Sequence, residues 1–337
     1  MVKSRTETCE RVALFDNIKF LMITLVVVGH FADVFTKDSD VCKGIYLFIY
    51  AFHMPMMLFI SGLFYSNKKN TSKILFYVCS GFILKISLAI INLICHQRTG
   101  FSLLSDGGSP WFFFVLAAYQ LLMYLLRNTN KKFLLIFSIL LACFVGYDKS
   151  VGSYLYLSRI VVFFPFYLFG TMLSPQKIVS FLNKYSKKLI VIAIVIIAIW
   201  FFFCFYKIDS AYNLRVLLTG TNPFSKEIIS VGPLLRLLCY CISFLTGAGL
   251  LVLMPEKQIP FFSSAGSKTL NVYYWHWLIY SLAERFLHIS RLFTLGTAGA
   301  IAFFLIAVLL TVILSCFKIF DYPLKTVKQQ CFKTNDT

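Results

Sequence analysis

The sequence predicts an all-α fold: a polytopic integral membrane bundle of about ten transmembrane helices, with both termini in the cytoplasm. Three observations lead there. Of the 337 residues, 59% are hydrophobic and 14% charged, whereas soluble domains hold about 45–50% apolar and about 25% charged residues. Apolar runs of 17 or more residues recur along the whole length, each able to cross a hydrocarbon layer as a helix. The basic residues also segregate, with 20 of the 32 in one alternating set of connections; the positive-inside rule makes that set cytoplasmic.

In order, the expected spans are residues 17–36, 44–65, 74–95, 110–126, 132–147, 155–173, 188–206, 232–254, 268–287 and 298–320. They divide the chain into a cytoplasmic N-terminal tail (1–16), a membrane domain (17–320) and a cytoplasmic C-terminal tail (321–337). The first sixteen residues are polar and mixed in charge, and no small-residue cleavage pattern follows the first apolar run, so that run is expected to remain as a span. The net charge of +18 fits cytoplasmic loops that meet anionic membrane lipids; no nucleic-acid partner is expected. Most of the ten cysteines fall in apolar runs, where Cys behaves as a small hydrophobe. With no CxxC or Cys/His ligand spacing, neither a metal site nor a disulfide is expected. The longest link on the outer side, 207–231, caps an acceptor site or is a plain connector.

Ionisable side chains are costly inside a bilayer and mark candidate functional positions. At 1.5 Å per residue, His30, His53, Lys85 and His276 fall near one level on four different spans, which suggests a polar chamber at the midplane. Lys19 and His30 are eleven residues apart, or about 20° past three full turns, so both lie on one face of the first span, separated by about 16 Å. A cation at the surface and an imidazole at depth suit a long anionic molecule whose reactive end enters the membrane. Arg11 adds a second cation at that mouth, and Asp16 and Asn17 are placed to cap the helix. Asp33, one turn beyond His30, is placed to hold the imidazole in one tautomer, as a general base requires. Arg159 and Arg236 lie in outer halves, where an inward-facing Arg can hold an oxyanion, a phosphate or sugar hydroxyls. Pro55 can kink the second span. Trp111 fits an interfacial aromatic belt, and Trp275 and Trp277 flank His276 as an aromatic wall for a sugar ring or thioester, or as plain packing.

Five motifs, in order, resemble a known family. They are Lys19 with His30 eleven residues later, FHMPMMLFISG at 52–62, PWFFFVLAAYQL at 110–121, RIVVFFPFYLFG at 159–170 and GSKTLNVYYWHWLIY at 266–280. Together they resemble acyltransferase family 3, in its fucose 4-O-acetylase-like branch. The resemblance implies a bacterial cytoplasmic-membrane O-acyltransferase that moves acetyl, or another short acyl group, from cytoplasmic acyl-coenzyme A (acetyl-CoA as co-substrate, no metal) to a hydroxyl. The implied acceptor is an envelope or exported glycan, or its lipid-linked sugar precursor. On that reading His30 and Asp33 are catalytic, Lys19 and Arg11 hold the coenzyme, and His53, Lys85, Arg159 and His276 contact substrate. Direct transfer and a covalent acyl relay both remain open. A polytopic transporter or flippase for a glycan precursor is the alternative, with the same polar groups lining a path.

Overall fold

The computed structural model describes residues 12–95, 102–105 and 108–333, so Arg11 lies outside the described residues. These residues are helical, with no strand among them. In order they form α1 (Ala13–Asp33), α2 (Asp40–Tyr50), α3 (His53–Leu63), α4 (Asn70–Ile94), α5 (Trp111–Leu125), α6 (Lys131–Phe144), α7 (Leu157–Gly170) and α8 (Pro175–Tyr206). The short α9 (Ile208–Ala211) and α10 (Arg215–Leu218) follow, then α11 (Gly232–Leu253), α12 (Pro260–Gly266), α13 (Thr269–Leu287), α14 (Gly296–Cys316) and α15 (Leu324–Lys333). Each of the ten expected spans coincides with a helix. Six are long and apolar enough to cross a membrane: α1, the α2–α3 pair, α4, the second part of α8, α11 and α14. Tyr154–Gly170 with Pro175–Tyr185 passes only as a pair bent by 73°. At 15 and 14 residues, α5 and α6 are short for the roughly 20 residues a span needs. In α13, Asn271, His276, Glu284 and Arg285 interrupt the apolar run.

Most of α1 and of the α2–α3 pair is buried, whereas α4, α8 and α14 turn most of their surface outward. The bundle is therefore built around α1, which packs against α2, α3, α12, α13 and α14. Its start differs from expectation. Leu14 and Phe15 are buried and extend the helix back to Ala13, so Asp16 and Asn17 sit within it, and Val12 occupies the N-cap without a side-chain bond. Asn17 instead anchors the chain before and within α12. Its Nδ2 donates to the carbonyls of Pro255 (2.9 Å) and Lys257 (3.0 Å), and its Oδ1 accepts from Ser263 Oγ (2.7 Å).

The second span is broken at residues 51–52, as Pro55 foretells: it has no N–H for the carbonyl one turn earlier. His53 opens α3 and fills part of the gap, its Nδ1 lying 2.8 Å from the Ile49 carbonyl. Where α3 crosses α7, Gly62 and Gly170 permit backbone approach: a Cβ at either would fall 2.0 or 2.2 Å from the Tyr167 or Phe59 carbonyl oxygen. This is the close small-residue crossing that membrane helices use. Pro165 interrupts the ladder of α7, and tyrosines serve carbonyls ahead of it. Tyr119 Oη donates to Arg159 O (3.2 Å) and Ile160 O (3.0 Å), and Tyr240 Oη donates to Val162 O.

Candidate active site

Two cavities share the walls of α1, α3, α5 and α13. The first, about 230 Å³, is lined by His30, Asp33, Tyr46, Tyr50, His53, Met54, Ser109, Trp111, Arg159, Tyr273 and Trp277, among others. His276 adjoins it: its ring centroid is 5.2 Å from that of His30. The Trp277 ring is 5.4 Å from His30, and the Tyr50 ring is 6.3 Å from His30 and 4.6 Å from His53. Gly29 lets this happen, because a Cβ there would press to 3.1 Å on the Tyr50 ring.

Hydrogen bonds orient two of the three imidazoles. His53 and His276 each place Nδ1 against the carbonyl four residues earlier, Ile49 at 2.8 Å and Val272 at 3.1 Å. A carbonyl only accepts, so Nδ1 carries the proton and Nε2 keeps its lone pair. Nε2 of His276 is buried without a partner among the described residues, an arrangement that costs free energy unless a ligand or a neighbouring proton fills it. His30 is half-buried and its ring makes no hydrogen bond to a described residue. The expected His30–Asp33 bond is therefore absent. Asp33, the last residue of α1 and exposed, lines the cavity wall.

Arg159 lines the same cavity, stacked over Trp111 at 4.9 Å, with Nε 3.4 Å from Thr219 O. Trp111, expected in an interfacial aromatic belt, is 9% exposed and forms cavity wall. The two tryptophans beside His276 part company: Trp277 faces the cavity, while Trp275 Nε1 donates to Tyr322 O at 2.8 Å. The 207–231 link caps the chamber, since Leu218 and Thr219 line it. Arg236 holds that cap. Fully buried, it donates to Leu217 O (2.7 Å), Asn222 Oδ1 (2.8 Å) and Thr221 O (3.4 Å).

Lys85 is not in this chamber. It is buried, but its Nζ donates to Ser102 O (2.7 Å) and Leu103 O (2.8 Å), lying 5.8 and 5.5 Å from the Phe114 and Tyr156 rings. Depth along a helix places a residue on a level, not on a side. Lys85 is on the right level and serves the loop between α4 and α5.

The second cavity, about 550 Å³, opens at the other end of α1 and is basic. Lys19, Lys73, Lys268, Lys325 and Lys328 line it, with Asp321, Gln120, Ser61 and an apolar floor that includes Met57, Ile60, Phe112 and Leu116. Lys19 is ion-paired to Asp16 at 2.7 Å, and Lys268 to Asp321 at 3.6 Å. Gln120, 4% exposed, donates to Tyr167 Oη at 2.9 Å and leaves Oε1 unpaired. Of this basic set, the sequence reading singled out Lys19 alone; its companion Arg11 lies outside the described residues. The others were readable only as loop charge, although 325, 328 and 332 share a helical face.

The two cavities are close. Met54 lines one and Met57 the other; Trp111 and Phe112 divide in the same way, as do Tyr273 and Asn271. About one helical turn separates them, closed by rings such as Phe112 and Tyr273, whose centroids are 5.1 Å apart.

A helical membrane bundle with a histidine chamber beside a basic vestibule has the parts of a membrane transferase. The family model described as "Acyltransferase domain" (Acyl_transf_3) matches residues 12–319, so the chain belongs to acyltransferase family 3. No curated protein and no solved structure matches it.

Proposed function

We propose that the chain transfers an acetyl or other short acyl group from cytoplasmic acyl-coenzyme A to a hydroxyl of a cell-envelope or exported glycan, or of its lipid-linked precursor. The observation that carries this reading is the pairing of the two cavities along α1, with Lys19 in the basic one and His30 in the histidine one. About 16 Å of helix rise lies between Lys19 and His30, a span for the extended arm of a coenzyme whose phosphates stay with the lysines. The vestibule volume suits a nucleotide-sized ligand. The histidine cavity is smaller than the roughly 300–1,000 Å³ of typical ligand sites, so it admits the reacting end of an acceptor. Trp111 and Trp277 offer faces to a sugar ring, and Arg159 offers donors to its hydroxyls.

His30 removes the proton of the acceptor hydroxyl. The oxygen attacks the thioester carbonyl, the carbon–sulfur bond breaks, and the departing thiolate takes the proton from His30. While His30 is an imidazolium, its second N–H finds an acceptor in the bare Nε2 of His276. That is the part a carboxylate was expected to play. The test is thioester consumption by the purified protein in nanodiscs, with acetyl-CoA and a glycan acceptor. His30→Ala is expected to reduce kcat by about 10²–10⁴-fold with the coenzyme still bound. A His30→Ala protein that turns over like wild type would remove His30 from the chemistry. Glycan movement across the bilayer without thioester consumption would favour a transporter.

A further inference from the structure

We propose that α15, which lies beyond the matched acyltransferase region, completes a phosphate-binding site at the rim of the basic cavity, with Lys325 and Lys328 binding the terminal phosphate of the donor nucleotide. The inference deepens the donor reading above and rests on it. The family match ends at residue 319, yet Leu324, Lys325, Lys328 and Phe332 line the cavity.

The sequence of α15 explains how. Leu324, Val327 and Cys331 recur at helical spacing and are buried, and the helix packs on α4. One position along, Lys325, Lys328 and Phe332 repeat that spacing and face the cavity. The turn before α15 fixes its place: Asn271 Nδ2 donates to Asp321 Oδ1 at 2.8 Å, and Trp275 binds Tyr322 O. The helix is thus docked at both its apolar stripe and its approach.

Charge accounting points to these two lysines. Lys19 and Lys268 are already paired with aspartates, and Lys73 donates to Ser66 O at 2.6 Å. Lys325 and Lys328 are exposed and form no ion pair with a described residue. Two ammonium groups one turn apart, about 5–6 Å between Cβ atoms, suit a dianionic phosphate ester; Lys binds phosphate as a point charge without needing a planar fork. An anionic lipid headgroup has the same chemistry, so the test must separate the two sources.

The full-length protein, in nanodiscs of phosphatidylcholine alone, is titrated with coenzyme A, dephospho-coenzyme A and adenosine 3′,5′-bisphosphate by calorimetry. The Lys325→Gln/Lys328→Gln protein is compared with wild type and with Lys333→Gln, a lysine of the same helix outside the cavity. The double variant is expected to weaken binding of coenzyme A and the bisphosphate about tenfold or more and to lose the preference for coenzyme A over its dephospho form. Lys333→Gln should bind as wild type does. Unchanged coenzyme A binding by the double variant overturns the proposal, and a fall in its retention of phosphatidylglycerol in mixed vesicles would then assign the lysines to lipid. A wild-type protein that binds none of the three probes removes the donor reading itself, and this inference with it.

Discussion

His276 shows how much chemistry one unpaired atom implies. Its Nδ1 is committed to Val272 O, and its Nε2 is buried with no donor among the described residues. If it serves His30, His276→Ala should lower kcat about tenfold or more and leave the KM for acyl-coenzyme A unchanged, while His276→Asn, which keeps an acceptor oxygen, should retain more activity. Steady-state kinetics on the three proteins decides; a loss seen only in KM would make His276 a binding residue. Residues of this kind were partly legible in the sequence. Helical period put Lys19 and His30 on one face, and depth put His53 and His276 on one level. Neither could tell that Lys85 turns to the Ser102 and Leu103 carbonyls, because the side of a helix is set by its neighbours. Nor could an i, i+3 spacing show that Asp33 is exposed on the cavity wall and makes no bond to His30.

Among the elements, the 207–231 connection gains most from the structure. Its sequence has no clear apolar period, and it left cap and connector equally open. What makes it a cap is Arg236, a guanidinium on α11 whose donors converge on the Leu217 and Thr221 carbonyls and the Asn222 amide. Replacing it with Leu strips the donor from the Thr221 carbonyl and the Asn222 amide, at about 1–3 kcal/mol each, while the Leu217 carbonyl keeps its bond from Gly220 N. Arg236→Leu is therefore expected to lower the thermal midpoint and to raise the KM for the acceptor more than that for the donor, since Leu218 and Thr219 line the acceptor-side cavity alone. Thermal unfolding in detergent and kinetics with both substrates check this; equal effects on the two KM values would mean a general loss of packing. Broken helices were legible where proline announced them, at Pro55. Helix α15 was not, because a short polar tail gives no sign of the partner it packs on.

At the scale of the molecule, the all-helical architecture followed from composition alone, because a chain this apolar has few other ways to satisfy its backbone. The number of crossings did not follow: α5 and α13 are short or polar and are sheltered by neighbours, whereas α6 is short but turns most of its apolar residues outward. The partition about one turn thick near Phe112 and Tyr273 has an electrical consequence. Were water to fill the recess on either side, this partition would carry most of the voltage across the bilayer. Moving one elementary charge through 100 mV involves about 2.3 kcal/mol. A neutral acyl group passing the partition does no electrical work, whereas a proton driven across it with the group does. Transfer rates in proteoliposomes held at different potassium diffusion potentials should therefore be flat if the acyl group crosses alone, and should change several-fold per 100 mV if a charge goes with it.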